Sequence, residues 1–367
     1  VAYLVPHPEP GIMSSRSALV FPGGMPSALT WARRAAAAGM RVVGASSLSP
    51  DPAQRHYQEW EFLPWIADAA FAPSLSQSLA ARRIDLVYSS HAVIWTALKE
   101  LLPQVAPTVG LEPAHPWDAD LADYRAYRAR AARLTPLELA GIDPRRPPLR
   151  PLELAALVRQ FEQTPGQCDY QKVEGFLAVF PRLPEGDIVE IGSLLGRSAL
   201  VLAFLARHYA IGKLLCVDPW GGEELLQGIP QVDEASREVP IAEIFDAFRI
   251  NLAPYAGMAN YARARSTDAA RRFRDRPVVA TEDFGETAYT GGIALLHIDG
   301  NHAEDAVRDD IALWQPLLRP GGWIVFDDYY WPFGDGPRRA ADDFCRRHSQ
   351  RITTAFAAGG ALFLALA

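Results

Sequence analysis

Short apolar stretches alternate with amphipathic ones from residue 188 to the end of the chain, and this alternation restricts the fold more than anything else in the sequence. Residues 188–191, 213–217, 261–265, 293–298 and 323–326 are short and apolar and read as buried strands. Helical spacing runs through 197–209, 241–255, 303–318 and 338–348, with a shorter helix at 268–274 and a lead-in helix at 170–180. Parallel strands need long crossover connections, so this alternation predicts a parallel sheet covered by helices on its faces. Two last strands, 352–357 and 361–365, close the chain as a β-hairpin and bring the count to seven.

A smaller α/β unit precedes it. Residues 17–23 read as a strand ending in a glycine turn, 26–39 as a helix opened by Pro26, and 41–44 as a second strand. A helix at 74–83, a strand at 85–88 and a helix at 91–102 follow. Between the units, Pro136, Pro144, Pro147, Pro148 and Pro151 cluster with Arg145, Arg146 and Arg150. This stretch reads as a linker carrying one short helix near 152–163. The expected organisation is an auxiliary Rossmann-like domain at 1–133, a Pro/Arg-rich linker at 134–165 and a catalytic domain at 166–367.

Composition narrows the partners. The chain carries 36 Lys+Arg against 43 Asp+Glu, and the net charge of −7 splits into +2 for residues 1–150 and −9 for 151–367. No domain is strongly basic, which argues against a nucleic-acid partner. There is no apolar run of about 20 residues to cross a membrane, and the start lacks a charged-then-apolar signal pattern. Cys168, Cys216 and Cys345 are far apart and form no metal or disulfide spacing, which fits a reducing, cytoplasmic setting. The acidic surplus of the second part is either a cation site or a solvated surface.

The first chemical signal is Val189-Glu-Ile-Gly-Ser-Leu-Leu-Gly-Arg-Ser198. Gly192 and Gly196 bound a tight strand-to-helix turn around Ser193, where missing Cβ atoms let a ligand approach the backbone. The helix beyond offers unpaired N–H groups, and Ser198 is placed to help cap it. A purely structural turn is the other reading. The next strand ends in Cys216-Val-Asp-Pro219. Asp218 there suits hydrogen bonds to ribose hydroxyls, in a nicotinamide cofactor or in S-adenosylmethionine alike, or it caps the following turn.

Together with Val217-Asp-Pro-Trp220, His297-Ile-Asp-Gly-Asn-His302 and Leu318-Arg-Pro-Gly-Gly-Trp-Ile-Val-Phe-Asp-Asp328, this turn resembles the class I S-adenosylmethionine-dependent methyltransferases, over residues 166–367. More narrowly, it is similar to the metal-dependent subgroup that includes the macrocin and mycinamicin sugar O-methyltransferases and the related cephalosporin hydroxylase family. The resemblance implies a seven-stranded Rossmann-like fold and S-adenosylmethionine as cofactor. It implies Asp299, Asp327 and Asp328 as ligands of Mg²⁺ or another divalent cation, with Asp327 standing where the subgroup often has Glu. It makes His302 the general base and Asp299 catalytic too. Glu190, Gly192, Ser193, Gly196, Ser198, Asp218, Ser266 and Asp299 become the cofactor contacts, with Ser266 at the adenine.

In that fold the three aspartates converge at neighbouring strand ends, and three carboxylates in one crevice repel one another unless a cation or a proton compensates; oxygen-only ligands favour Mg²⁺, Ca²⁺ or Mn²⁺. Asp268 either shares the adenine loop's role or caps the short helix. Arg197 meets the methionine carboxylate or lies on the surface. His297, inside an apolar strand, reads as a satisfied core histidine. Residues 221–240 read as a lid and 276–290 as a surface loop. Tyr329, Tyr330 and Trp331 either stack on a sugar ring or pack on the last helix.

The function this implies is O-methylation of a small-molecule natural product, on a sugar of a glycosylated antibiotic, by a homo-oligomer whose first domain assembles subunits or positions substrate. A nicotinamide-dependent Rossmann oxidoreductase and a non-catalytic S-adenosylmethionine-binding scaffold are the competing readings.

Overall fold

The computed structural model describes residues 16–367; the N-terminal stretch read above for a signal pattern lies outside them. The chain divides into two compact units, Val1–Ala126 and Tyr127–Ala367. Among the described residues no helix is long and apolar enough to cross a membrane.

The first unit runs β1 (Ser17–Val20), α1 (Pro26–Ala37), β2 (Arg41–Ser46), β3 (Glu59–Phe62), α2 (Phe71–Ala81), β4 (Leu86–Tyr88), α3 (Ala92–Val105) and β5 (Gly110–Glu112). The division from the second unit falls inside α4 (Trp117–Ala131). Its five strands are all parallel, in the order β3-β2-β1-β4-β5. β1, β2 and β4 are the strands foreseen from the sequence. β3 and β5 are short edge strands, the first half-buried and the second mostly exposed, so they carry no apolar run to announce them. His91 starts α3, its Nδ1 accepting the Ile94 N–H at 3.4 Å. The glycines after β1 and in β2 make room for the unit's own aromatics. A Cβ on Gly44 would lie 2.6 Å from the Trp60 and Tyr57 rings, and Tyr57 donates its hydroxyl to the Gly23 carbonyl at 2.8 Å.

In the second unit α5 (Pro151–Gln163) and α6 (Tyr170–Val179) precede β6 (Asp187–Ile191), α7 (Arg197–Tyr209), β7 (Leu214–Val217), α8 (Pro230–Arg237), α9 (Ile241–Leu252), β8 (Ala259–Ala262) and α10 (Ser266–Asp275). Then follow β9 (Val278–Thr281), β10 (Gly285–Ala288), β11 (Ile293–Ile298), α11 (Glu304–Trp314), β12 (Leu318–Phe326), α12 (Gly336–Arg347), β13 (Ile352–Ala358) and β14 (Ala361–Leu366). Seven strands pair in the order β13-β14-β12-β11-β6-β7-β8. The five central and flanking strands from β12 to β8 are parallel, and β14 runs antiparallel to both β12 and β13. This is the α/β architecture with a terminal hairpin that the alternation specifies.

Period-two alternation supplies both faces. Ile188, Leu214 and Trp323 join the core under α5, α6, α7 and α9, while their neighbours Val189, Leu215 and Ile324 join the core under α10, α11 and α12.

Two segments differ from the sequence reading. Residues 134–165 do not behave as a linker. Pro151 opens α5, where its missing N–H costs nothing, and Leu157 and Phe161 are fully buried in the core beside α7. The stretch before it is pinned to the same unit, with the Arg145 N–H reaching the Pro181 carbonyl at 2.8 Å. Residues 276–290 form the antiparallel pair β9–β10, tied down by the Asn260 amide, which donates to the Gly285 carbonyl at 2.9 Å.

Candidate functional site

Strand order and register assemble the site before any side chain is considered. From β6 the chain winds outward through β7 and β8, then returns to place β11 on the other side of β6. That reversal is a topological switch point, and in open α/β sheets the crevice beyond the strand ends at this point receives ligands. Ile191 pairs with Ile298, and Ile298 pairs with Phe326. The residues one step beyond, Gly192, Asp299 and Asp327, are therefore neighbours. The Asp299 N–H donates to the Ile191 carbonyl at 2.8 Å and the Asp327 N–H to the Ile298 carbonyl at 2.9 Å.

Gly192 has φ +83°, and a Cβ there would sit 1.9 Å from the Asp299 carbonyl oxygen. Gly196 also has φ +83°, with Leu252 filling the space 2.5 Å from its missing Cβ. The chain itself requires both glycines, because Asp299 and Leu252 fill the room that the missing Cβ atoms leave. Ser198 does not cap α7, which starts at Gly196 without a side-chain cap; Ser198 is buried within the helix. Arg197 lies 4.0 Å over the Phe161 ring and donates to the Gly166 carbonyl at 3.0 Å.

Asp218 is brought to the glycine turn and faces inward. One carboxylate oxygen accepts the N–H groups of Ser193 and Leu194, each at 3.0 Å, and the other accepts that of Trp220 at 2.7 Å. Burial raises its pKa, against the pull of these three hydrogen bonds. Asp218 thus holds the loop in shape.

Behind the loop lies a buried polar chain. The Ser193 hydroxyl donates to Glu190 at 2.6 Å, and the other Glu190 oxygen is 3.1 Å from His297 Nδ1. His297 Nε2 is 3.5 Å from Asp327, whose same oxygen meets the Lys172 ammonium. None of these side chains is more than marginally exposed. Burial pulls the His297 pKa down, yet hydrogen bonds and charges from Asp327 and Glu190 outweigh it and raise the pKa. For Asp327, burial pushes up, but Lys172 and His297 prevail and hold the carboxyl well below the usual range. Asp299 is held well above that range by burial and by the Asp327 charge. His297 lies in the core as foreseen but is not fully satisfied there: Nδ1 meets Glu190, while Nε2 is buried without a hydrogen-bond partner, 3.5 Å from Asp327.

Toward the opening, Asp299, His302 and Asp328 each offer one ligand atom, all within 4.8 Å of one another. His302 Nε2 is 2.9 Å from the Asp328 carboxylate, and its Nδ1 is buried without a hydrogen-bond partner. Asp328 takes φ +51°, a left-handed conformation that Asp tolerates better than most residues. Asp299 belongs also to an inner group with His297 and Asp327. The three aspartates thus meet as two overlapping groups, not as one set of three. The two carboxylates of this outer group fit a divalent cation that accepts oxygen donors, and the imidazole beside them is held by Asp328.

The remaining candidates lie around this centre. Ser266 opens α10 and accepts the Trp314 indole N–H at 2.8 Å. Asp268 pairs with Arg271 and caps nothing. Residues 221–240 contain α8 and are strapped to the site turn by the Asn301 amide, which donates to the Leu226 carbonyl at 3.1 Å. Tyr329, Tyr330, Trp331, Gly334 and Arg338 line an open cavity of about 390 Å³. Trp331 meets the His302 ring edge-on at 4.3 Å, so this cavity borders the histidine.

Among the buried polar residues that escaped the sequence reading, two touch or adjoin the site candidates. Lys172 is the first; its signal was a lysine on a helix whose neighbours Val173, Phe176 and Leu177 are all apolar. Asp310 is the second. Buried in α11 beside Ser266, its pKa is pushed up to about 7, chiefly by burial. A carboxyl raised on folding favours the folded state below its unfolded pKa of about 4 and loses that contribution as pH rises through about 7. Asp310→Asn is therefore expected to raise the melting temperature at pH 8 and to leave it unchanged at pH 4. Thermal unfolding at the two pH values checks this. The gain is at most about 4 kcal/mol, at 1.4 kcal/mol per unit.

Residues 189–329, from β6 to just past β12, match the family model of a methyltransferase domain. No curated protein matches the chain. Similar solved structures include the O-methyltransferase NovP, 16% identical over 57% of this chain and 79% of that one, with a TM-score of 0.38. Another is CalS11, a TDP-rhamnose 3'-O-methyltransferase of calicheamicin biosynthesis, 15% identical over 74% of this chain and 92% of its own, TM-score 0.34. A third is the MycE methyltransferase of the mycinamycin pathway in complex with Mg, SAH and mycinamycin VI, 16% identical over 60% of this chain and 55% of that one, TM-score 0.34.

Proposed function

We propose that this chain, a methyltransferase by its domain at residues 189–329, moves the methyl group of S-adenosylmethionine onto a hydroxyl of a small-molecule natural product, on the sugar of a glycosylated antibiotic. The observation that carries the reading is the Asp299–His302–Asp328 group at the switch point, with Trp331 both against the His302 ring and in the wall of a neighbouring cavity.

The chain's own residues divide the work. The loop from Gly192 to Gly196, kept in shape by Asp218 and backed by Glu190, is the proposed cradle of the methyl donor, with Ser198 behind it and Ser266 at the adenine end. Asp299 and Asp328 are the proposed holders of a divalent cation. When bound, that ion orients the acceptor hydroxyl and lowers its pKa. His302 takes the hydroxyl proton, its ring fixed by Asp328 on one nitrogen and by the Trp331 edge. Tyr330, with 59% of its surface exposed, and Trp331 offer faces and edges on which a sugar ring can stack.

The nicotinamide reading is not favoured, because the matching family model is a methyltransferase domain. The first unit is proposed as an auxiliary module for assembly or substrate positioning, consistent with a glycine turn packed by its own Trp60 and Tyr57. Free cysteines at 168, 216 and 345 suit a cytoplasmic setting.

The test is a panel of polyhydroxylated acceptors incubated with labelled S-adenosylmethionine, with and without EDTA. Label is expected in an acceptor hydroxyl, lost on chelation and restored by Mg²⁺. Incorporation undiminished by EDTA would remove the cation from the reading, and labelling confined to amines would remove the O-methyl assignment.

A further inference from the structure

We infer that Lys172 is a positioning residue that takes Asp327 out of the metal-binding set, leaving Asp299 and Asp328 as the carboxylate ligands; this rests on the metal reading above. The adjacent acids Asp327 and Asp328 look equivalent in the sequence, and the structure gives them opposite surroundings. Asp327 is 5% exposed and has both oxygens engaged. Its Oδ1 accepts the Asp328 N–H at 2.9 Å, while its Oδ2 meets the Lys172 ammonium and stands 3.5 Å from His297 Nε2. Asp328 has about a third of its side chain exposed and faces His302. The φ of +51° at Asp328 lets two successive side chains diverge in this way.

Charge accounting leads to the same division. Lys172 is itself 5% exposed, and a buried ammonium needs a carboxylate in contact with it. Asp327 is that carboxylate, so the pair is internally neutral. Asp299 and Asp328 remain as the carboxylates of the outer group with no ammonium bonded to them. Were Asp327 to turn to the cation, Lys172 would be left buried, unpaired and beside a dication of like sign. Lys172 thus works as an internal counter-ion from α6, which lies outside the residues matching the methyltransferase domain.

The test uses the full chain, freed of metal and titrated calorimetrically with Mn²⁺. Three proteins are compared: the unchanged chain, Asp328→Asn, and the double variant Lys172→Met with Asp327→Asn, which removes the buried charges together. The asparagine at 327 keeps a carbonyl for the Asp328 N–H. The double variant is expected to bind Mn²⁺ within about tenfold of the unchanged chain, the lower edge of what losing an outer-sphere partner costs. Asp328→Asn is expected to weaken binding by more than about 100-fold, beyond that outer-sphere range. A double variant weakened as far as Asp328→Asn would overturn the assignment while leaving the metal reading intact. Absence of Mn²⁺ binding by the unchanged chain would overturn both. The single variant Lys172→Met gives an independent readout. Its freed Asp327 is expected to recruit cation, so Mn²⁺ should raise its melting temperature by more than that of the unchanged chain; an equal shift counts against the role given to Lys172.

Discussion

Replacing His302 with alanine is expected to lower kcat by about 10²–10⁴-fold, the usual contribution of a positioned general base. The affinity for S-adenosylhomocysteine, measured by calorimetry, should not change, because the loop from Gly192 to Gly196 is held by Asp218 and Glu190 and not by His302. The size of the effect follows from the ring's surroundings. Asp328 fixes one nitrogen at 2.9 Å, Trp331 fixes the plane, and the other nitrogen has no partner. A base held in one orientation loses little entropy when it takes the proton. Single-turnover measurements with saturating donor isolate the chemical step. A fall of less than about tenfold would place the base elsewhere, since positioned bases contribute at least ~10²-fold.

Asp299, His302 and Asp328 were named, with Asp327, through the family resemblance, and the structure places them just after β11 and β12, with one ligand atom of each within 4.8 Å of the others. The helix α7 was plain, since Gly196 and the apolar run to Tyr209 mark both ends. What escaped depended on partners far away in the chain. Lys172 and Asp327 are 155 residues apart, and nothing local says which of the two acids the lysine meets. The hairpin β9–β10 has strands of four residues, mostly half-exposed, and is anchored by Asn260 on β8. Its stability comes from a tertiary contact, so no local pattern announces it. The helix α5 was foreseen near 152–163 but assigned to a linker, because its proline was counted with the breakers around it, although at a first helical position proline starts a helix. At the glycines of the turn the sequence shows that a Cβ is excluded but not what excludes it, and the structure supplies Asp299 and Leu252.

That last point has a measurable consequence at Gly192. Gly192→Ala is expected to damage both stability and catalysis, and a second glycine separates the two causes. Gly192 has φ +83° and a Cβ site 1.9 Å from the Asp299 carbonyl oxygen; Gly257 has φ +82° and nothing within 4 Å. Alanine at Gly257 therefore reports the left-handed conformation alone, about 1–2 kcal/mol. Alanine at Gly192 carries that same cost and in addition forces the backbone of Asp299 away, since a contact of 1.9 Å with a carbonyl oxygen cannot persist. Its loss of stability in denaturant unfolding should exceed that of Gly257→Ala. The displaced backbone belongs to the residue on which the two acidic groups overlap. A shift of about 1 Å at a reacting centre costs on the order of 10² in rate. Gly192→Ala should thus lose about 10²-fold in kcat at temperatures where it is still folded, and Gly257→Ala should lose none. Equal destabilisation of the two variants, or full activity in folded Gly192→Ala, would mean that the strand ends are not locked against each other, and that the precision of the site comes from the ligands it binds.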